Sequence, residues 1–219
     1  DTAVAQFGKG DKYFGVCTMM VTMPGLPMFG HGQIEGYTEK YGMEYRKAYW
    51  DEQVDQDLVQ RHEREIFPLM RLRHLFSDVK NFCLYDFYTP DGHVNENVFA
   101  YSNSHAGQHG LVVYHNKFAD TSGWINMSSA YSVKQNENDR KLEQKSLGQA
   151  LGLHQQDNYF VIFREQISGQ EFIRRSREVR EQGVFVSLNA YQTQVFINFR
   201  EVEDNVWQHY ANLEKYLNG

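Results

Sequence analysis

A chain of 219 residues with 41% apolar and 23% charged side chains is a globular sequence long enough to bury a sizeable core. Its net charge of -6 argues against a general nucleic-acid surface, which is basic, and no apolar run approaches the roughly 18 residues of a membrane span. The only two cysteines, Cys17 and Cys83, are too few for a disulfide scaffold and fit reduced thiols in a cytoplasmic protein.

The chain opens "DTAVAQFGKGDKYF", without Met or signal peptide, and reads as the continuation of a longer sequence. Residues 11–23, "DKYFGVCTMMVTM", predict a mostly apolar helix that Pro24-Gly25 ends. "LPMFGHG" has the size of a short strand running into a Gly-rich loop. Residues 55–76 predict an amphipathic helix. Leu58, Val59, His62, Ile66, Leu69, Met70 and Arg73 share one face, and Pro68 kinks or divides it.

Near residue 80 the period changes from 3.6 to 2. "FCLYDFYT", "NVFAYSN", "GLVVYHNKF" and "WINMSSAY" are short strands parted by turn signals, the pattern of an antiparallel sandwich or barrel. "SVKQNENDRKLEQKS" reads as a surface loop or short helix, and "YFVIFRE" as a strand. "SGQEFIRRSREVREQG" reads as a helix with a Ser start and a Gly stop, its arginines and acids on a solvated face. "VFVSLNAYQTQVFINFREV" reads as a strand pair and "NVWQHYANLEKYL" as a closing helix. The fold class expected is α+β. Residues 1–78 would form a βα unit, and 79–219 an antiparallel β-sandwich with flanking helices.

At "MPGLPMFGHGQIEG" the sequence resembles the last barrel strand of the α-amylase superfamily of glycoside hydrolases (glycoside hydrolase family 13). Gly25, Pro27, Gly32 and Gln33 match that pattern. Ile34 stands where a glutamate usually follows, with Glu35 one place later. The amphipathic helix and the β-rich region, including "VFAYSNSHAGQHGLVVYHN", resemble the last barrel helix and the carboxyl-terminal β-domain. The resemblance implies retaining chemistry on α-glucans, which needs two carboxyl groups roughly 5 Å apart. It puts both before this chain's first residue and a third carboxylate at or just before Asp1, so no catalytic residue is assigned here. A complete barrel takes roughly 250 residues, against about 76 before the β-domain. The expected partner is the remainder of the barrel, unless the oily face of "VCTMMVTM" finds another apolar surface.

Ligand contact is expected from the loop "GYTEKYGMEYRKAYWDE" and the turn before it, through His31, Gln33, Glu35, Tyr45, Arg46 and Trp50. Aromatic faces stack on pyranose rings while polar groups take hydroxyls. Tyr37, Tyr41, Tyr45 and Tyr49 also have the four-residue spacing of a packed helical stripe. His31 with Glu35 is either a sugar-binding pair or a turn-holding hydrogen bond. His105 and His109 fall in a hairpin loop and lack zinc-site support, so no metal or cofactor is expected. Trp124, Tyr131 and Trp207 are core aromatics or a secondary sugar platform. Two functions follow: part of a glycoside hydrolase or glucanotransferase inactive by itself, or a non-catalytic carbohydrate-binding or interaction module. An unrelated β-sandwich with an accidental match at 24–36 is the third possibility.

Overall fold

A computed structural model describes residues 1–40, 47–136 and 139–217. The first part is helical. α1 (Ala3–Phe7) is capped by Thr2, α2 spans Asp11–Thr22, and α3 (Gln56–Glu65) is capped by Asp55 through the Leu58 amide. Pro68 divides the long amphipathic pattern: α4 (Phe67–Arg71) carries it in its first turn, and α5 (Arg73–Phe76) follows.

Among the described residues ten strands come next: β1 (Cys83–Tyr88), β2 (Val98–His105), β3 (Gln108–His115), β4 (Thr121–Ser128), β5 (Tyr131–Lys134), β6 (Arg140–Glu143), β7 (Tyr159–Glu165), β8 (Glu171–Arg175), β9 (Val184–Leu188) and β10 (Thr193–Glu203). Three short helices complete the chain: α6 (Leu147–Ala150), α7 (Ser176–Gln182) and α8 (His209–Leu217). Eight strands form one antiparallel sheet ordered β8-β7-β10-β3-β2-β1-β4-β9, while β5 and β6 make a separate hairpin. The sheet curls around a core built from Phe87, Ile125, Val161, Phe163, Val186 and Phe196, closed by Leu147 of α6, Leu151 just after it and Val179 of α7. The class is α+β, as the two sequence periods predict.

The helical layer covers the opposite face. Tyr13, Phe14, Cys17 and Val21 of α2, with Leu58, Ile66, Leu69 and Phe76, pack on Tyr101, Val112 and Val195 of the central strands. Burying each large apolar side chain contributes about 1.5–3 kcal/mol. β2 and β3 are therefore covered on both sides and lose the alternation of β1 and β9. Of the two alternatives for the face of "VCTMMVTM", the remainder of a barrel or another apolar surface, the structure shows the second: Cys17 and Val21 lie on the sheet.

Four local expectations are also corrected. Residues 26–30 form no strand, and no strand precedes Cys83 among the described residues. Leu26 (86%) and Met28 (75%) are exposed there. The polar run after residue 131 is the β5–β6 pair, in which Ser132, Val133 and Lys134 stand opposite Leu142, Lys141 and Arg140. "EFIRR" is strand β8 and the helix starts only at Ser176, since β7 supplies a hydrogen-bonding edge for it. β9 and β10 do not pair with each other: β9 joins β4, and β10 lies between β3 and β7.

Candidate functional site

The glycines of "GLPMFGHGQIEG" make a chain reversal. The Gln33 amide donates to the Gly30 carbonyl at 3.1 Å, and the Gln33 Oε1 accepts from the Gly30 amide at 3.0 Å. Gly32 has φ +69°, and a Cβ there would lie 2.6 Å from the Tyr37 side chain, so a larger residue is excluded twice over. The turn ends where the Asp55 amide donates to the Glu35 carbonyl at 2.9 Å, tying it to the cap of α3. Lys9 Nζ sits 2.7 Å from Asp55 Oδ2 and holds that carboxyl below its usual range, with the Leu58 amide adding to the effect.

Folded this way, the turn lines a cleft of about 430 Å³ together with the amino-terminal residues. Gly30, His31, Gln33 and Tyr37 form one side, Asp1, Thr2 and Ala3 another, and Glu39 and Lys40 complete it. Asp1 Oδ1 and Lys40 Nζ form an ion pair of 2.5 Å across the rim. Polar groups of both signs beside two rings suit a hydroxyl-rich ligand.

The structure brings His31 and Gln33 into this cleft. Glu35 is half-buried and does not line it; its charge acts on the buried His62 behind the turn. Trp50 stands outside, 59% exposed. Tyr45 and Arg46 lie outside the described residues. Tyr37 and Tyr49 occupy non-helical backbone, and the helical stripe is absent from the described parts of this loop.

Two residues that sequence reasoning missed shape the loop. Glu39, almost fully buried, accepts from the Tyr49 and Trp50 amides at 2.8 and 3.0 Å. Glu52 answers from the other side, accepting from the Thr38 amide at 2.7 Å, the Thr38 hydroxyl at 2.6 Å and the Glu39 amide at 2.9 Å. The Thr38 hydroxyl and these amides hold the Glu52 carboxyl below its usual range. Two acids thirteen residues apart in a polar run gave no local signal of this pairing.

Elsewhere, Trp124 packs edge-on against Phe185 at 5.2 Å, Tyr131 lies under Lys145, and Trp207 stacks near His209. They sit on separate elements with different partners. His109 Nδ1 is 2.7 Å from the Ser104 hydroxyl, and no group of three His, Cys, Asp or Glu among the described residues is arranged to hold a metal. No helix among them is long and apolar enough to cross a membrane.

No protein-family model and no curated protein sequence matches the chain. Solved structures do. An α-amylase from Geobacillus thermoleovorans, solved with acarbose, superposes with a TM-score of 0.50 at 12% identity, over 91% of this chain and 36% of its own. AmyP in complex with maltose gives 0.48 at 10% identity, over 90% and 38%, and an Anoxybacillus α-amylase 0.47 at 10%, over 85% and 32%. This chain thus spans about a third of the length of those proteins. At such identity the likeness concerns fold, and the curled antiparallel sheet has the fold of the carboxyl-terminal β-domain of α-amylases.

Proposed function

We propose that this chain is the carboxyl-terminal portion of a glycoside hydrolase or glucanotransferase acting on α-glucans. The remainder of the catalytic barrel, with the acid and the nucleophile, comes from sequence outside these residues. The observation that carries this proposal is the cleft itself. The segment on which the resemblance rests folds back so that His31 and Gln33 face Asp1, where the resemblance puts a third carboxylate at or just before the chain's start. The α-amylase fold likeness and its one-third coverage support the same reading. In that enzyme His31 and Gln33 would take glucan hydroxyls, Glu35 would hold the turn that presents them, and Trp50, with Tyr45 and Arg46, would reach sugar further along the chain. Cys17 and Cys83 are free and buried, which fits a reducing, cytoplasmic setting.

Retaining hydrolysis needs an acid and a nucleophile on opposite sides of one bond. The carboxylates near the cleft are engaged otherwise, Asp1 with Lys40 and Glu39 with two amides. The 219-residue chain alone is therefore expected to release no reducing sugar from amylose or maltoheptaose, and clear turnover would overturn the assignment of the acid and nucleophile to other sequence. Maltotriose is expected to shift the backbone amide resonances of His31, Gln33 and Trp50; spectra unmoved at millimolar sugar would sink the glucan cleft.

A second reading is a non-catalytic carbohydrate-binding module, favoured by the exposure of Tyr49 and Trp50 above the Glu39 carboxylate. Retardation in starch or glycogen gels that is lost in Trp50→Ala would favour the module, and free migration would disfavour it.

A further inference from the structure

A second cleft, of about 440 Å³, opens between the helical layer and the sheet, away from the turn at residues 30–37. We propose that it is a separate binding site for an uncharged α-glucan oligosaccharide, an inference that rests on the α-glucan reading above.

Two tight turns and two helices build its walls. The β7–β8 turn supplies Ser168 and Gln170, the β9–β10 connection supplies Tyr191, the start of β10 supplies Thr193 and Gln194, and α2 and α3 supply Phe14 and Arg61. Both turns are locked from behind. The buried Glu165 carboxylate accepts from the amides of Ile167, Ser168 and Val195, and Gln166 Nε2 reaches the Arg64 carbonyl of α3. On the other turn the Asn189 amide donates to Gln192 Oε1, and the Tyr191 amide donates to the Lys117 carbonyl. Tyr191 adopts φ +53°, a left-handed conformation that costs free energy for a residue with a side chain, yet it is held at the mouth of a cleft.

The charges of this cleft are already matched to one another. Arg61 lies 4.0 Å over the Phe14 ring, gives Nε to Glu65 and gives Nη2 to Asp11. Glu65 takes Arg64 as well, and Glu165 is saturated by three amides. Asp11, Glu65 and Glu165 thus face Arg61, with Arg64 on Glu65 and Lys12 5.9 Å from the Tyr191 ring centre, so the walls carry no excess charge of either sign to select an ion. Glu65 and Glu165 spend their oxygens on Arg61, Arg64 and main-chain amides, and Asp11 alone is no cation site. What remains without a protein partner among the described residues is neutral or already balanced. The Thr193 hydroxyl is buried and unpaired, the side-chain amides of Gln170 and Gln194 make no hydrogen bond, and Arg61 Nη1 is unspent. Unpaired donors and acceptors facing a concave wall with aromatic edges are what a neutral polyol satisfies.

Maltotriose titrated into the full 219-residue chain, followed by backbone amide shifts, tests this site. Saturable shifts are expected at Ser168, Gln170 and Tyr191–Gln194, with at least tenfold weaker apparent affinity in Gln170→Ala combined with Gln194→Ala. Trp50→Ala should leave these shifts unchanged. Gln170 is exposed, so Gln170→Ala alone keeps the fold and must still weaken binding there. Shifts confined to His31, Gln33 and Trp50 would overturn this second site and leave the first cleft standing. Silence at both would overturn the two together. Equal shifts with cellotriose would overturn the assignment to an α-linked glucan.

Discussion

His62 has no exposed surface and is engaged at both ring nitrogens. Nδ1 lies 2.8 Å from the Leu58 carbonyl and Nε2 lies 2.8 Å from the Tyr13 hydroxyl. A carbonyl only accepts, so Nδ1 carries the proton and Nε2 accepts from the phenol. Burial holds this imidazole below its ordinary value of 6.5, against the Leu58 bond and the charges of Glu65 and Glu35, which pull upward. With the folded value below the unfolded one, the unfolded chain binds its proton first as pH falls. The stability tied to neutral His62 is thus fully present above 6.5 and is lost as pH drops through the lower folded value. The melting temperature is expected to fall between about pH 7.5 and 5, and His62→Gln, though less stable at the upper end, should show a shallower slope. His109, also held low by burial, keeps part of that slope. An unchanged slope in His62→Gln would rule out this assignment. The burial of His62 was legible, because it falls on the apolar face of a 3.6-residue period. The Glu39 and Glu52 bonds were not, since a carboxylate that takes main-chain amides far along the chain leaves no pattern in side-chain types.

Between α2 and the sheet the spacing is set by one glycine. A Cβ on Gly15 would sit 2.0 Å from the fully buried Tyr114 ring of β3. Gly15→Ala favours the isolated helix by up to about 1 kcal/mol, yet it forces α2 off β3. A net loss of roughly 1–3 kcal/mol, the usual cost of overpacking, is expected in urea unfolding. A neutral or stabilising result would mean that α2 does not seat on Tyr114. Arg73 works at the other end of the same helix. Its guanidinium donates to the carbonyls of Val21, Met23 and Gly25, taking up acceptors that a helix terminus leaves bare. The spacing that put Arg73 on the buried face of the 55–76 pattern was sound, while its role as a cap for a distant helix was invisible. Strand existence was likewise readable from alternation and turns such as Ala106-Gly107, both at positive φ as a two-residue hairpin requires. Strand partners were not, because β9 and β10, adjacent in sequence, join opposite parts of the sheet.

At the scale of the whole chain, residues 1–78 and the β-rich remainder share one core. Tyr101, Val112 and Val195 would face water without the helices. One unfolding transition is therefore expected by circular dichroism at 222 nm and by tyrosine fluorescence alike, with coincident midpoints. A 79–219 fragment should melt far lower or aggregate. Two separated transitions, or a fragment as stable as the full chain, would contradict a shared core. Counting the first third against itself misjudged its burial, since the surface that covers it comes from Tyr101, Val112 and Val195 of the distant strands β2, β3 and β10.

The facing glutamates below the loop have one more implication. Glu39 and Glu52 each fasten the other arm's backbone, so the two arms are joined beneath whatever sequence runs between Lys40 and Ala48. That makes a base clasped from both sides: either carboxylate alone still links the arm of Thr38 and Glu39 to that of Tyr49 and Trp50, and Trp50 keeps its outward aim.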